Sequence, residues 1–487
     1  MNVSLRRAAY AMFLAFAVLV AAVTYIQVVR GPEYKNDARN ARVVATRTGR
    51  ERGPILTTDE VVLAASTPSS IDPKLYVRSY PEGDLYAHTV GYTSVLFGST
   101  GLESAWSQEL VSDRDATVTG VLNGLLGGDT RPRGLRLTLD HDLQQAAADA
   151  LGDQKGAIVA LDSRTGAVLA MVSYPSFDPN TLTGPNSGNT GTALENDTDE
   201  PLRNRAIDES YAPGSVFKVI TTASGLDFGV VSPSSEFPDP VALALPDSDA
   251  TISNFDKDVC NDGKSVTLEV GFIRSCNTVF GQLGMDIGGD DLGVTAESFG
   301  FNRSIPFDLD VLVSFFPGQG SIENNPSVTA QSAIGQRNVQ TTPLLMAMSA
   351  AAVANGGTAM EPHLVRDVFT SDGSVEASTV PTVWKRAMSP ATASVLSEMM
   401  EQVVISGTGK KAAVPGVRIA GKTGTAEVTD NPPHAWFVGF GPVGAGADES
   451  GIAIAVVVES GGNFGETATG GSVAAPIAQK VLTAFFE

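Results

Sequence analysis

A serine and a lysine lie three residues apart in the segment Tyr211–Lys218, which reads YAPGSVFK. One turn of helix brings positions i and i+3 onto the same face, so Lys218 would lie beside the Ser215 hydroxyl. A serine is a weak nucleophile until a base removes its proton, and lysine is such a base once burial or nearby positive charge lowers its pKa. The pair predicts a nucleophile with its own base, although an ordinary helix start would have the same residues.

Two further polar motifs follow along the chain, Ser275–Asn277 and Lys422–Thr425. The Ser275 hydroxyl could relay a proton to a leaving amine, and the Asn277 amide could hold a peptide bond. The positive charge of Lys422 would lower the pKa of Lys218 and attract a carboxylate.

The segment Lys422–Thr425 also supplies hydrogen-bond donors. The hydroxyls of Thr423 and Thr425 could join Lys422 in binding a carboxylate. An oxyanion formed on attack needs fixed donors, and the backbone N–H groups of Ser215 and Thr425 form the natural pair. Gly424 has no side chain, so its strand can approach a ligand closely. The three motifs together predict a covalent serine nucleophile with its own base and a site for an oxyanion.

The elements that position these motifs come from both ends of the C-terminal region. Two apolar runs flank Asp162–Gly166, which predicts an antiparallel hairpin. Asp140 or Asp142 could cap a helix that carries Leu143 on one face. Three strand-like runs, VRIAGKTGTAEV, HAWFVGFGPV and GIAIAVVVES, precede a closing helix. The pattern predicts one antiparallel sheet with a helical insert over residues 178–399.

Composition limits the kind of function. The chain has 487 residues and a formal net charge of -21, which argues against nucleic acid as a partner. Its four histidines and two cysteines are not spaced as zinc ligands, so no metal and no cofactor is expected.

The N-terminus predicts an anchored protein. Residues 8–29 carry no charge and are long enough to cross a membrane as a helix, and Arg6 and Arg7 precede them. These arginines favour a cytoplasmic tail, residues 1–7, and an extracytoplasmic body. A cleaved signal peptide is the alternative. We place a smaller membrane-proximal domain at residues 30–134, ending in the junction GGDTRPRG, and the catalytic domain at 135–487.

The order Ser-x-x-Lys, Ser-x-Asn, Lys-Thr-Gly resembles the motif set of penicillin-binding proteins and serine β-lactamases. The segments RSYPEGDLYAHTVGYTS, PLRNRAIDESYAPGSVFKVITTA, SAIGQRNVQTTPLLMAMSAAAVANGG and HAWFVGFGP extend the resemblance along nearly the whole chain. They are similar to class B penicillin-binding proteins, above all the actinobacterial penicillin-binding protein A type. The resemblance implies an α/β (α+β) fold: an antiparallel sheet flanked by helices, plus an all-helical subdomain.

The resemblance also implies the activity. Ser215 would attack the penultimate D-alanine of a peptidoglycan stem, expel the terminal D-alanine and pass the acyl group to a second stem. Penicillins and other β-lactams would acylate the same serine. The implied partners are stem peptides, the cytoplasmic membrane, a membrane glycosyltransferase, and divisome or elongasome proteins. The implied site residues are those of the three motifs: Ser215, Lys218 and Ser275 as catalytic, and Asn277, Lys422, Thr423, Gly424 and Thr425 as substrate-binding.

Three other functions share these motifs. A class A β-lactamase needs a Glu-x-x-Leu-Asn loop after the Ser-x-Asn motif, and none follows Asn277. A D,D-carboxypeptidase and a non-catalytic receptor with the same fold stay open as alternatives. The segment from residue 30 to 134 is too short for a glycosyltransferase domain, so a bifunctional enzyme is not expected.

Two further residue pairs also carry predictions, and one of them includes Cys276 of the Ser-x-Asn motif. Cys260 and Cys276 are expected to form a disulfide in an extracytoplasmic body, where it would hold Ser275 and Asn277 in place; two buried free thiols are the alternative. Arg205 and Glu209 are expected to form only a surface pair.

Overall fold

The structure is a computed structural model that describes residues 3–30, 49–70, 73, 75–111, 131–183, 187–318, 322, 325–445 and 451–487. The first part of the predicted junction, residues 127–130, lies outside the described residues. The α-helices are α1 (Val3–Tyr25), α2 (Ala87–Val90), α3 (Gly101–Ala105), α4 (Ser107–Leu110), α5 (His141–Leu151), α6 (Ser187–Glu195), α7 (Lys218–Asp227), α8 (Leu268–Arg274), α9 (Asn277–Ile287), α10 (Gly289–Phe299), α11 (Pro326–Ala333), α12 (Pro343–Ala354), α13 (Pro390–Ile405) and α14 (Ala475–Phe486).

The strands are mostly short outside the central sheet. They are β1 (Ile55–Leu56), β2 (Val62–Pro68), β3 (Tyr76–Ser79), β4 (Thr93–Ser94), β5 (Gly98–Ser99), β6 (Gly134–Leu137), β7 (Gly156–Asp162), β8 (Val168–Tyr174), β9 (Glu236–Pro238), β10 (Ala242–Ala244), β11 (Thr251–Ser253), β12 (Ser265–Thr267), β13 (Thr358–Met360), β14 (Val365–Phe369), β15 (Val375–Ser378), β16 (Val383–Arg386), β17 (Ala420–Val428), β18 (Asn431–Gly441) and β19 (Ile452–Val458).

The central sheet has five strands in the order β17-β18-β19-β7-β8, all antiparallel. Two strands from the start of the catalytic region thus pair with three from its end, as the sequence predicted. The hairpin at residues 162–166 is present, and the Asp140 side chain caps α5 by accepting a hydrogen bond from the backbone N–H of Leu143 at 2.9 Å. The strand β17, which carries Lys422–Thr425, forms one edge of the sheet.

Both faces of this sheet are buried because side chains alternate along each strand. Val159 and Leu161 face a core that includes Met346 of α12, a helix that is buried almost all round. Ile158 faces a second core that includes Val481 of α14. Each such side chain stabilises the fold by roughly 1.5–3 kcal/mol, so the sheet is a rigid support for the site at its edge.

A second sheet crosses the predicted domain boundary. It has six strands in the order β15-β14-β6-β1-β2-β3, in which β1 and β6 are parallel. Its strands β14 and β15 come from the segment 178–399, which was predicted as a helical insert. That segment therefore contains strands as well as helices. The sequence did not predict these strands, because non-local pairing such as that of Val365 with Leu137 leaves no signal in the local sequence.

The N-terminal helix α1 continues into a π-helical turn, Ile26–Arg30. Across the residues that the structure describes, no helix is both long and apolar enough to qualify as a membrane span. The anchor predicted for residues 8–29 is therefore not supported by the structure and stays a prediction from the sequence.

Candidate active site

The turn that carries Ser215 is held from two sides, by Gly335 and by Trp436. It is a 3₁₀ helix, Gly214–Phe217, which leads into α7. Gly214 adopts a left-handed φ of +53°, and its N–H donates to the carbonyl of Gly335 at 2.9 Å. A Cβ on Gly335 would lie 2.2 Å from the Gly214 carbonyl, so only glycine fits there. The indole Nε1 of Trp436 donates to the Ala212 carbonyl at 3.1 Å, which fixes the chain just before the turn.

Lys218, the first residue of α7, is fully buried. Burial is the main cause that holds its pKa well below the usual value, and the charge of Lys422 lowers it further. Its Nζ donates to the Ser275 carbonyl at 2.8 Å and to Oδ1 of Asn277 at 2.7 Å. Among the hydrogen bonds of the described residues, none joins Lys218 to Ser215, so the direct contact expected from the i,i+3 spacing is absent in this state. Catalytic contacts are often long before substrate binds.

Ser275 bridges the two buried lysines. Its Oγ lies 2.7 Å from Nζ of Lys422 and 3.4 Å from Nζ of Lys218. The residue ends α8 in a left-handed conformation, φ 65° and ψ 41°, which is uncommon for a residue with a side chain. This conformation turns the chain sharply between α8 and α9 and points the hydroxyl into the site.

Lys422 is also fully buried, and burial lowers its pKa to about 7. Its Nζ lies 5.6 Å from the centre of the Phe272 ring, and Nζ of Lys218 lies 5.3 Å from that of Phe280. The two rings therefore separate both amines from water on one side. Such a site disfavours the charged form of each amine, and a neutral amine is the form that can act as a base.

Asn277 begins α9 and is engaged within the protein. Its Oδ1 accepts from Lys218, and its Nδ2 donates to the Ser253 carbonyl at 2.9 Å. Because an amide carries two N–H donors, one stays available for a substrate. The sequence predicted the substrate contact but not the contact with Lys218.

The strand β17 packs directly on the nucleophile turn. A Cβ on Gly424 would lie 3.0 Å from both the carbonyl of Pro213 and Cγ1 of Val216, so a larger residue would push the two apart. The backbone of Thr425 lies equally close, because a Cβ on Gly214 would be 2.8 Å from its carbonyl. The structure thus places Thr425 against Gly214, the residue before Ser215, and the oxyanion site formed by the N–H groups of Ser215 and Thr425 stays a prediction.

The two threonine hydroxyls of β17 already have partners. Thr423 Oγ1 lies 2.6 Å from Oγ1 of Thr408, and Thr425 Oγ1 accepts from the N–H of Gly470 at 3.4 Å. Thr408 and Gly470 were not identified from the sequence. Glycine and threonine repeat too often in this chain for GTG or TGG to carry a signal.

Cys260 and Cys276 form a disulfide with a Cα–Cα distance of 5.9 Å. Cys276 lies between Ser275 and Asn277. The Asp239 side chain holds the loop at the other end of the bridge, accepting from the N–H groups of Cys260 and Asn261 at 2.7 Å each. The bridge therefore ties the Ser-x-Asn motif to a fixed loop.

The structure contains a buried ionic cluster near the nucleophile that the sequence analysis did not predict. The expected surface pair of Arg205 and Glu209 is wrong, because Arg205 is buried and its Nε donates to Glu459 at 2.8 Å. Glu459 also accepts from the Tyr211 hydroxyl at 2.7 Å. The partners are far apart in sequence, so local spacing pointed to the wrong acid.

Comparison with known families identifies the class. The family model "Penicillin binding protein transpeptidase domain" matches residues 156–483, and "Penicillin binding protein A dimerisation domain" matches residues 52–134. The chain therefore belongs to the penicillin-binding protein transpeptidase family, and its fold is the transpeptidase fold of that family.

Individual relatives match over the full length. Peptidoglycan D,D-transpeptidase PbpA of Mycolicibacterium smegmatis is 39% identical over 99% of this chain and 99% of that protein, and PbpA of Mycobacterium tuberculosis is 38% identical with the same coverage. A solved structure of penicillin-binding protein A from M. tuberculosis, a ceftriaxone acyl-enzyme complex, has a TM-score of 0.83. It is 37% identical and covers 90% of this chain and 99% of that one.

Proposed function

We propose that this protein is a peptidoglycan D,D-transpeptidase that cross-links stem peptides through an acyl-enzyme on Ser215 and that β-lactams inhibit covalently. The observation that carries the proposal is the Ser275 hydroxyl, held between two fully buried lysines close to the nucleophile turn. Names of the PbpA relatives and the acyl-enzyme state of the solved neighbour support it.

In the proposed first step, neutral Lys218 takes the proton of Ser215 as Oγ attacks the penultimate D-alanine carbonyl. The lowered pKa of Lys218 makes the neutral form available. The backbone N–H groups of Ser215 and Thr425 stabilise the oxyanion. Lys422, Thr423 and Thr425 bind the terminal carboxylate across the edge of β17, and the free N–H of Asn277 holds the stem peptide.

Collapse of the tetrahedral intermediate expels D-alanine. Ser275 gives its proton to the leaving amine and is reprotonated from the adjacent lysines, to which it is already hydrogen-bonded. An amine of a second stem then attacks the acyl-enzyme, and the same groups act in reverse. Atoms balance: one peptide bond breaks, one forms, and D-alanine leaves.

The test uses the full-length protein and a fluorescent penicillin, with Ser215→Ala as the control. Intact mass followed over hours should show a stable adduct on the wild type and none on the variant. An adduct that disappears within seconds with release of hydrolysed drug would identify a β-lactamase instead. A folded protein that never forms an adduct would favour the non-catalytic receptor.

We also propose that residues 8–29 anchor the protein in the cytoplasmic membrane as a single span, with residues 1–7 inside and the catalytic domain outside. The run has no charge, and Met12, Phe13 and Phe16 of α1 are exposed rather than packed on the body. Membrane fractions of cells should retain the full chain after a high-salt or carbonate wash. Recovery in the soluble fraction would contradict the anchor.

A membrane-bound glycan polymerase is the partner we propose, by analogy with the family. The two family models that match this chain are a dimerisation domain over residues 52–134 and a transpeptidase domain over residues 156–483, and a transpeptidase acts on glycan strands that a polymerase has made. Septal or elongation proteins would recruit the same complex. Chemical cross-linking of the full chain in cells, followed by affinity capture, should recover a polytopic polymerase above the level captured with an unrelated membrane protein. Repeated capture without one would count against the partnership.

A further inference from the structure

The turn Gly407–Gly409, just after α13, forms an additional wall of the site. A Cβ on Gly407 would lie 2.5 Å from the carbonyl of Ile273, two residues before Ser275. A Cβ on Gly471 would lie 2.5 Å from the carbonyl of Thr408. The turn is therefore wedged between α8 and the segment that follows the last strand. Its hydrogen bonds to the end of α13, from the N–H groups of Gly407 and Gly409 to the Val403 carbonyl, fix its position.

This turn places one side chain on the Lys-Thr-Gly strand. Oγ1 of Thr408 and Oγ1 of Thr423 are 2.6 Å apart, a normal distance for a hydroxyl pair. Thr408 is exposed, whereas only 5% of the surface of Thr423 is accessible to solvent. The pair thus reaches from solvent to the residue proposed to bind the substrate carboxylate.

The chemistry of such a pair is directional. Each hydroxyl has one proton to donate. If Thr423 donates to a carboxylate, it cannot also donate to Thr408, but its lone pairs stay free to accept. Thr408 can then donate to Thr423, which orients the Thr423 proton toward the anion and polarises its O–H bond. With an uncharged ligand in the same place, this chain of two hydrogen bonds gains far less.

We propose that Thr408 is a positioning residue for carboxylate recognition, acting through Thr423, and that it helps the enzyme to select ligands with a free carboxylate next to the reacting bond. This inference rests on the proposed function. Thr408 takes part in no chemical step; it orients the hydroxyl of Thr423.

The test measures the second-order rate constant of acylation of the full-length protein with two probes, penicillin G and its methyl ester. Thr408→Val keeps the shape and removes the hydroxyl. It should slow acylation by penicillin G about tenfold and leave the rate with the ester unchanged. Thr408→Ser should restore the wild-type rate with penicillin G. Thr382→Val is the matched control and should change neither rate, because Thr382 is exposed and its hydroxyl donates to the Val380 carbonyl at 3.0 Å.

A double-mutant cycle separates an indirect role from a direct one. In a Thr423→Val background, Thr408→Val should have no further effect, because its partner is gone. A tenfold loss in that background would mean that Thr408 touches the carboxylate itself and would overturn the proposal. Equal losses with acid and ester, or no loss with either, would overturn it as well. A wild-type protein that neither probe acylates would instead refute the proposed function.

Discussion

Ser275 Oγ lies 2.7 Å from the Nζ of Lys422, which is fully buried, whereas Ser275 itself is half-buried. The same oxygen is 3.4 Å from Nζ of Lys218, so the two amines share one hydroxyl. Two charged ammonium groups this close to each other and to two aromatic rings would repel each other and lack water. The arrangement is therefore most stable when at least one amine is neutral. Because both amines contact the Ser275 hydroxyl, the protonation of Lys218, the proposed base for Ser215, is linked to that of the groups that supply a proton to the leaving amine through Ser275.

The first prediction concerns the hydroxyl of Ser275. We expect Ser275→Ala and Ser275→Gly each to slow acylation by penicillin about 10²–10³-fold, the usual contribution of a positioned proton donor. The two variants differ in stability. Because position 275 has a φ of 65°, glycine should be the more stable of the two by about 1 kcal/mol. Acylation rates and chemical denaturation check both expectations.

Ser406→Ala is the control for this pair. Ser406 is exposed at the end of α13, and its hydroxyl donates to the Gln402 carbonyl at 3.1 Å. We expect wild-type acylation from it. If Ser275→Gly were as active as the wild type, the proton relay through Ser275 would be refuted, because glycine removes the hydroxyl without adding backbone strain at this φ.

The second prediction concerns the pH dependence of acylation. Lys218 must be neutral to act as base, so the rate should rise with pH as Lys218 loses its proton. The charge of Lys422 is the second cause, after burial, that lowers the pKa of Lys218. Lys422→Met removes this charge, raises the pKa of Lys218 and should move the rising limb to higher pH. Penicillin G methyl ester is the probe, since it bypasses the carboxylate contact of Lys422. A limb that stays in place or moves to lower pH would contradict the assigned base.

The third prediction concerns stability. Burial lowers the pKa of Lys422 from 10.5 to about 7, so between these values the unfolded chain binds the proton more tightly than the folded one. The resulting loss of stability is complete below about pH 7 and vanishes as pH rises toward 10.5. Lys422→Met should therefore have a higher melting temperature than the wild type near neutral pH, and the difference should shrink at alkaline pH. A difference that grows with pH would mean that the hydrogen bond to Ser275, not desolvation, dominates.

How far the sequence predicts the site depends on how far apart along the chain the two residues of each contact lie. Ser215 and Lys218 are one turn apart, so their position on one face of the turn is expected from helix geometry alone. That geometry fixes the direction of the Lys218 side chain only roughly. A fully buried amine takes the acceptors that surround it, and here these are the Ser275 carbonyl and Asn277, which belong to another segment. The lysine was predicted and its resting partners were not.

The sheets show the same limit. The hairpin at residues 162–166 and the strands β17–β19 are local patterns with short connections, and they were predicted. The pairing of β6 with β14 joins residues more than two hundred positions apart, and nothing in either short strand marks the other. Gly335 belongs to a segment that carried the family resemblance but no expected place at the site. Its contact with Gly214 depends on a backbone approach that a sequence does not show.

The last prediction concerns the disulfide. A bridge that closes a loop of this size stabilises the fold by about 3 kcal/mol in the chain-entropy model. Cys260→Ser should therefore lower the free energy of unfolding by about that amount. Acylation should slow but not stop, because Asp239 still holds the loop around Cys260 while Ser275 and Asn277 lose their covalent tie to it.

Alkylation followed by intact mass should find no free thiol in the wild type without reductant. With reductant, the wild type should unfold at the lower denaturant concentration of Cys260→Ser, and the variant should not change. Two alkylated thiols in the untreated wild type would refute the bridge, and full activity of Cys260→Ser would show that it does not position Ser275.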